Sequence, residues 1–363
     1  MRSVVVKIAS LPLGWIGLFA LTGGCGGDDL LPDYSQPPSP VIDSIYTIGT
    51  PVRPFYSNGD LWMNTWADDG NLYSAWGDGR GVRQDAGFTD CGIARFAGDL
   101  PTIESQEQRQ EAPTTLPKVD DKPSSLIFVD GKLIGQFHSP LRNPWIGYLA
   151  YSEDYGRSWT RLGFYEEGAS APPDASPWTR DRGSPFRCLF FINMGRNYEL
   201  NEDGFVYALG IGREWTWSGG LRLARVRREQ ILDYEAYEYL AGYARYQPQW
   251  STHQSDAIVM RGIWTTDQGS AMYHPGIGRY LFLNARDLFE APFPWGPWTH
   301  AGSWVEAAPE EWQGGYQPGI VTKGATENSF WFTISGQNAL PRIIYRLNLG
   351  RIGMVTKADV PEE

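Results

Sequence analysis

Short apolar runs separated by turn signals are the dominant pattern along this chain. The runs are rich in aromatic and β-branched residues, and helical periodicity is scarce. Each of five turn signals is preceded and followed by a run that is typical of a β-strand. The signals are Asp69-Gly70, Asp130-Gly131, Asp203-Gly204, Pro275-Gly276 and Glu327-Asn328. The pattern therefore predicts an all-β protein built from five hairpins.

The spacing of these hairpins predicts how they assemble. Successive signals are 61, 73, 72 and 52 residues apart, which leaves room for a four-stranded sheet in each unit. Such sheets can close into a ring with few free edges. We predict a five-bladed β-propeller with long inter-strand loops over residues 46–363, its last strand (342–350) closing the ring near Tyr46. A two-sheet sandwich is the alternative, although its turns come about 8–12 residues apart.

The N-terminus has the pattern of an export signal. Arg2 and Lys7 precede an apolar stretch that is too short for a comfortable membrane span. The small residues before Cys25 resemble a bacterial lipobox. We predict that residues 1–24 are a lipoprotein signal peptide and that a lipid on Cys25 anchors the mature protein to a membrane. Secreted or periplasmic protein is the alternative.

Two polar stretches predict segments without a core. Residues 25–45 are rich in Gly, Pro, Asp and Ser, which indicates a flexible tether. The stretch 104–122 is predicted to be a surface loop. The cysteines of the predicted domain, Cys91 and Cys188, could form a disulfide or remain buried thiols, and their spacing decides neither.

Composition and charge narrow the range of partners. The chain has 31 basic and 42 acidic residues; without residues 1–24, which hold two basic residues and no acidic one, 29 and 42 remain, a net charge near −13. This excess of acid argues against a nucleic-acid partner. The four His and the Cys residues lack the spacing of metal ligands, so we expect no metal or other cofactor, while calcium in the channel stays open. We expect a monomer.

The segment Ser152–Trp159 matches the Asp-box pattern S-x-D-x-G-x-x-W. In this pattern the Asp accepts hydrogen bonds from backbone amides of a tight turn, and the Gly allows a positive φ. We interpret Asp154 as structural. A sialidase is disfavoured, because one Asp box without a recognisable arginine triad is weak support.

The first hairpin, Gly59 to Gly79, brings two carboxylates to the same end. If Asp69-Gly70 is a two-residue turn, Asp60 and Asp78 are diagonal neighbours at the open end of the ladder. Two close carboxylates ionise unequally, so one can donate a proton while the other acts as base or nucleophile. Glycosidases use this combination. We predict Asp60 and Asp78 as catalytic residues; the alternative is ordinary turn chemistry.

Asp60 and Asp78 each lie about nine residues from their turn. Counting about nine residues outward from each of the other four turns leads to further polar residues, which in a propeller would surround the same mouth of the central channel. We predict that these residues bind sugar hydroxyls. They are His138, Asn193, Arg213, Asp267, Gln268, Tyr316 and Gln317. His138 has two further interpretations: a hydrogen-bonded structural residue, or the general base of a polysaccharide lyase that works with Tyr316.

Three segments resemble the bacterial family catalogued as domain of unknown function 4185. They are GDLWMNTWADDGNLYSAWGDG, GIWTTDQGSAMYHPGIGRYLFLN and APFPWGPWT, and the last also looks like five-bladed arabinanase-type glycosidases. The resemblance runs over most of residues 45–350 and implies a five-bladed propeller. Some characterised branches of the family are endo-D-arabinanases whose catalytic acids are two Asp on the first hairpin, which correspond to Asp60 and Asp78 here.

We therefore predict an exported, lipid-anchored glycoside hydrolase that acts on an extracellular polysaccharide at the bacterial cell envelope. Two alternatives stay open. One is a polysaccharide lyase on the same scaffold, which needs a uronic acid and a His/Tyr pair. The other is a non-catalytic surface glycan-binding protein.

Overall fold

The protein is all-β, with two one-turn α-helices and five short 3₁₀ helices in the part of the chain that the structure describes. The computed structural model describes residues 36–111, 121–139, 147–163, 170, 174–181, 183–212, 219–265, 268–307, 316–336, 338–339, 342–343 and 345–360. The strands are β1 (Ile42–Thr47), β2 (Asn58–Trp66), β3 (Leu72–Gly81), β4 (Thr89–Gly98), β5 (Ile103–Glu111), β6 (Lys122–Val129), β7 (Lys132–His138), β8 (Gly147–Ser152), β9 (Thr160–Leu162), β10 (Cys188–Asn193), β11 (Phe205–Ile211), β12 (Gly219–Gly220), β13 (Arg222–Arg227), β14 (Glu238–Ala244), β15 (Gln247–Ser251), β16 (Trp264–Thr265), β17 (Gly269–His274), β18 (Arg279–Asn284), β19 (Asp287–Ala291), β20 (Thr299–Ser303), β21 (Tyr316–Thr326), β22 (Ser329–Ser335), β23 (Asn338–Ala339), β24 (Arg342–Ile343) and β25 (Leu347–Thr356). The helices are α1 (Pro177–Arg180) and α2 (Trp304–Ala307). Within the described ranges, no helix has the length and apolar character needed to cross a membrane.

The strands form mainly antiparallel sheets, and most neighbours in a sheet are consecutive in the sequence. The sheets β2-β3-β4-β5 and β6-β7-β8-β9 have four strands each, and a third has the order β1-β25-β22-β21. A nine-stranded sheet consists of β10-β11-β13-β14-β15 and β17-β18-β19-β20, joined by a short parallel pairing of β10 with β17. All five predicted turn signals lie between the first two strands of such a unit.

The first strands of the units, β2, β6, β10, β17 and β21, are called the inner strands below. β2 contacts β6 and β21, β10 contacts β6 and β17, and β17 contacts β21. The side chains of β2, β6 and β10 are buried almost throughout, as expected for strands covered on both faces. Inner strands that touch in this cyclic order give a β-propeller-like arrangement.

The first and last strands of the fold pair with each other. Tyr46 in β1 lies opposite Gly353 in β25, so the C-terminal strand does meet the N-terminal segment, a few residues later along the chain than predicted. Closure by a strand from the other end of the chain removes a free sheet edge.

Two predicted boundaries were wrong. The tether was expected to extend to residue 45, but Ser39 and Ile42 are buried, and the Ser39 amide donates to the His300 carbonyl at 2.9 Å. The predicted surface loop 104–122 contains most of β5 and ends on Lys122, the buried first residue of β6. Polar side chains on the exposed outer strand β5 hid its pairing with β4 from a reading of hydrophobicity.

Candidate active site

A β-bulge in the first hairpin sets the position of the Asp pair. Asp60 lies opposite Gly77, and Met63 lies opposite Ala75, so Leu61 and Trp62 together face a single residue of β3. An inserted residue bends its strand and re-aims neighbouring side chains. Asp60 is thereby drawn against the residue next to Asp78, and the hairpin brings the two carboxylates to the same end of the ladder.

The backbone around the pair adopts rarely populated conformations. Leu61, Trp62 and Asp78 have φ values of 73°, 49° and 44°, in the left-handed region that costs non-glycine residues free energy. Burial holds this geometry: the Trp62 indole is fully buried and donates to the Gly59 carbonyl at 2.9 Å. Strain of this kind is often found at functional sites.

The two carboxylates have different surroundings. Asp60 is buried, with an exposure of 3%, whereas the Asp78 side chain is 33% exposed. The Lys122 ammonium group lies 2.6 Å from Asp78 Oδ1 and also donates to the Asp90 carbonyl at 3.2 Å. The Lys122 side chain is only 5% exposed. A buried lysine therefore fixes one member of the pair.

His138 in β7 lies directly opposite Lys122 in β6 in the antiparallel pairing of these strands. Ser124 Oγ lies 2.6 Å from His138 Nδ1. Burial, together with the positive charge of Lys122, lowers the pKa of His138 to about 3. His138 is thus a neutral, hydrogen-bonded residue and a weak base at neutral pH.

A second acidic contact lies beside His138. Tyr148 donates to Asp121 Oδ2 at 2.7 Å, and both residues are fully buried. Burial and the charge of Asp121 raise the pKa of Tyr148 well above its usual value. Cys91 packs in the same small cluster as Tyr148, and burial raises the pKa of its thiol. Cys91 and Cys188 are both buried thiols that no disulfide joins.

Gln268 and Gln317 lie at the start of two other inner strands. Gln268 directly precedes β17 and is fully buried. Gln317 is also fully buried, has a φ of 56°, and its amide finds no hydrogen-bond partner among the described residues. Gly319, two residues further along, packs against the Trp62 carbonyl so closely that no Cβ would fit. Gln317 is therefore next to the bulge that carries Asp60.

Asn193 does not join this group, and its predicted position was wrong. It lies at the turn end of β10, where it accepts a hydrogen bond from Thr65 Oγ1 at 2.8 Å and donates to the Leu126 carbonyl at 2.9 Å. Thr65 is at the turn end of β2, away from Asp60. The long connection 194–204 between β10 and β11 invalidates a count made from the Asp203-Gly204 signal.

Several predicted residues lie where their side chains are not described. Arg213, Asp267 and Cys25 are outside the described residues, as is the whole predicted signal peptide. Tyr316 begins β21, and only its backbone is described. Within the described ranges, no three His, Cys, Asp or Glu side chains converge as metal ligands would.

An open cleft of about 520 Å³ lies next to the second sheet. Its lining includes Arg187, Gly212, Arg222 and Gln254. The Arg187 carbonyl accepts a hydrogen bond from Gln136 in β7, and the backbone at Arg187 packs against Gly147, the strand partner of His138. The cleft therefore borders the second sheet, whose first strand begins with Lys122.

Lys122 is the site residue that the sequence analysis missed. It was assigned to a surface loop because the preceding residues are polar. Its position in the sequence could have identified it, because Lys122 immediately precedes PSSLIFV, a run typical of a strand buried on both faces. A lysine at the first position of such a strand must be paired or directed to a wet cavity.

Comparison with known proteins gives one family and a set of similar folds. The model of the family described as domain of unknown function DUF4185 matches residues 103–349, which begin after the first hairpin. No curated protein matches the chain significantly. A Bacteroides ovatus protein described provisionally as a hydrolase has a TM-score of 0.51 and 13% identity, over 83% of this chain and 87% of its own. The catalytic domain of the Coprinopsis cinerea GH62 α-L-arabinofuranosidase has a TM-score of 0.50 and 8% identity, over 87% and 98%.

Proposed function

The chain belongs to the DUF4185 family, and we propose that it is a glycoside hydrolase whose catalytic acids are Asp60 and Asp78. The proposal rests on the placement of Asp60 at a strained bulge of β2, opposite Gly77, the neighbour of Asp78 in β3. The similarity of the fold to that of a GH62 α-L-arabinofuranosidase supports it. Lys122 joins the pair as a residue that the sequence analysis did not consider.

We infer five blades around one axis. The inference is supported by five units whose inner strands touch in cyclic order and by the pairing of β1 with β25. In such a wheel the starts of the inner strands surround one mouth of the axis. Asp60, Lys122, Gln268 and Gln317 all stand at or near these starts. A ring of buried polar side chains around an open mouth suits an oligosaccharide.

The chemistry follows from having two acids in different environments. One carboxylic acid gives its proton to the glycosidic oxygen as the bond to the anomeric carbon breaks. The other carboxylate activates water or attacks the anomeric carbon. The buried side-chain amide of Gln317 forms no hydrogen bond with any described residue. It is therefore available to form a hydrogen bond with a sugar hydroxyl. No cofactor takes part in this proposal.

The geometry favours hydrolysis over a lyase reaction. A lyase on this scaffold would use His138 as the base, but the pKa of His138 near 3 makes it a poor proton acceptor at neutral pH. Its Nδ1 is also engaged with Ser124. His138 is better explained as a support for the strand that carries Lys122.

We propose an extracellular polysaccharide as substrate and the bacterial cell envelope as location, with a lipid on Cys25 as the anchor. Arabinose-containing polysaccharides are the first candidates, because the GH62 protein of similar fold is an α-L-arabinofuranosidase. Labelling of the exported protein with a radioactive fatty acid, with Cys25→Ala as control, tests the anchor. The label is expected on the natural protein alone.

The experiment that tests the function is a substrate screen of the purified protein. Plant, algal and bacterial-wall polysaccharides are incubated with it, and reducing ends and ultraviolet absorbance are read together. Release of saturated sugars is expected, and it should vanish in Asp60→Asn. An absorbing, unsaturated product would identify a lyase instead, and saturable binding without any cleavage would identify a glycan-binding protein. Addition of a chelator in the same screen tests for a calcium requirement.

A further inference from the structure

We propose that Lys122 is a positioning residue that holds Asp78 as the carboxylate of the pair and so leaves Asp60 as the proton donor. The inference rests on the glycoside hydrolase function proposed above. Its basis is the contact of 2.6 Å between Lys122 Nζ and Asp78 Oδ1, made by a lysine side chain that is only 5% exposed. A buried charge is retained only with a partner, so this contact is built into the fold.

The side chains of Asp60 and Lys122 both approach Gly77, the neighbour of Asp78. A Cβ at Gly77 would lie 2.7 Å from Asp60 Oδ1 and 3.3 Å from Lys122 Cδ. The methylene part of the lysine thus passes close to Asp60, while its ammonium group reaches Asp78. An ammonium contact stabilises a carboxylate relative to the carboxylic acid. The Asp90 carbonyl holds the ammonium group from another side, at 3.2 Å.

The assignment gives each acid one task in a balanced reaction. The bond between the anomeric carbon and the glycosidic oxygen breaks, and its electron pair goes to that oxygen, which takes the proton of Asp60. In the inverting route, water adds to the anomeric carbon and gives a proton to Asp78. In the retaining route, Asp78 first bonds to the carbon; water then displaces it and gives its proton to the Asp60 carboxylate, which restores the acid. Both routes need Asp78 aimed at the anomeric carbon, and the Lys122 contact holds its carboxylate in place.

Lys122→Met removes the charge at nearly constant volume, and the chain offers a matched control. Lys323 is also largely buried, but its ammonium group donates to the Gly70 and Gly98 carbonyls at 2.9 and 2.6 Å, at the far end of the first hairpin. We expect Lys122→Met to lower kcat about 100-fold through misplacement of Asp78 while KM changes little. Lys323→Met should leave kcat near the natural value. Equal kcat in the two variants would overturn the inference.

Substrates with different leaving groups test the division of tasks. An aryl glycoside with a good leaving group needs little protonation, so Asp60→Asn should recover much of its activity on this substrate. Asp78→Asn and Lys122→Met should stay slow on it. The opposite pattern, recovery in Asp78→Asn, would contradict the assignment. Lys122→Arg retains the charge and should keep more activity than Lys122→Met; equal losses would count against a role for the charge.

A stability cycle separates failure of this inference from failure of the proposed function. Asp78→Asn leaves the buried ammonium group with only the more distant Asp90 carboxylate, 3.8 Å away, so adding Lys122→Met should raise the urea midpoint of that variant instead of lowering it further. Additive losses would show that the two residues are not coupled, and the positioning role would fall. If the natural protein cleaves no glycan but the cycle shows coupling, the function fails while the ion pair stands.

Discussion

The hairpins β2–β3 and β10–β11 are built from the same parts: an inner strand, a turn signal and a returning strand. In the first, a short turn and a bulge place Asp60 against the neighbour of Asp78. In the third, the connection 194–204 is long, and Asn193 comes to lie at the turn end of its strand. Counting a similar number of residues back from the turn signal therefore identifies a residue of the site in the first hairpin, Asp60, but a structural residue in the third, Asn193.

The difference is also one of hydrogen-bonding capacity. Asn193 bonds to Thr65 and Leu126 and so ties three inner strands together. The carboxylate of Asp78 is one-third exposed, and its partner Lys122 belongs to the same site. A polar residue on an inner strand can bind substrate or take part in catalysis only where the fold leaves some of its hydrogen-bonding groups accessible to a ligand.

The largest effect that separates the two hairpins should come from the Asp pair. We expect Asp60→Asn and Asp78→Asn each to lower kcat/KM by about a thousandfold or more, because each removes a group that acts on the transition state. Circular dichroism should show both variants folded. The measurement is kcat/KM on the polysaccharide identified by the screen.

Asp181→Asn provides a control for the loss of a negative charge, because the Asp181 carboxylate accepts hydrogen bonds from Gly183 and Gln254, neither of which belongs to the first hairpin. It should retain at least half of the activity. Near-natural turnover in Asp60→Asn or Asp78→Asn would remove that residue from the chemistry.

Asn193→Ala should show the opposite signature, a loss of stability with little loss of turnover. The substitution removes the acceptor of the Thr65 hydroxyl, which still accepts from the Phe128 amide, and the side-chain donor to the buried Leu126 carbonyl. This loss costs about 2–3 kcal/mol in the free energy of unfolding. Urea unfolding and kcat, measured at a temperature where the variant is folded, test this. A stable variant with a hundredfold lower kcat would place Asn193 in the site after all.

The turn positions were predictable from sequence because Asp-Gly and similar dipeptides encode the local backbone conformation. The register at Asp60 was not, because the bulge depends on the burial of Trp62 against residues that only the folded sheets bring together. Lys122 was missed for a similar reason: its partner Asp78 lies in another sheet. The family match cannot supply the Asp pair either, since it begins at residue 103.

His138, in the second hairpin, is intermediate between Asp78 and Asn193. It lies close to the site, as Asp78 does, but its side chain is buried, as that of Asn193 is. Its pKa is about 3 when folded and 6.5 in an unfolded chain. Above pH 6.5 the imidazole is neutral in both states; between pH 6.5 and 3 only the unfolded state binds the proton. His138 should therefore make stability fall as pH drops, by about 1.4 kcal/mol per pH unit.

Urea unfolding of the natural protein and of His138→Gln at several pH values from 7 to 5 measures this slope. The stability difference between the two proteins should move in favour of the variant as pH falls, while His253→Gln, at an exposed position, should follow the natural protein. Parallel curves for His138→Gln would mean that the imidazole binds its proton in the folded state.

The smallest effect should come from Asp154, in a turn that contributes neither to the site nor to the contacts between inner strands. Asp154 Oδ1 accepts hydrogen bonds from the Ser158 and Arg157 amides at 2.8 and 3.0 Å, and Oδ2 accepts one from Ser158 Oγ at 2.6 Å. Burial alone would raise the pKa of Asp154, but these bonds and one from Ser152 lower it to about 2.

Asp154→Ala should lower the free energy of unfolding by about 1 kcal/mol, since the turn is exposed to solvent that replaces part of the lost bonding. That cost should be constant above pH 3.8 and shrink toward pH 2, where the native carboxylate is protonated. Turnover should not change; a large loss of kcat with normal stability would require the turn to contact the substrate and would undo the division between structural and catalytic carboxylates.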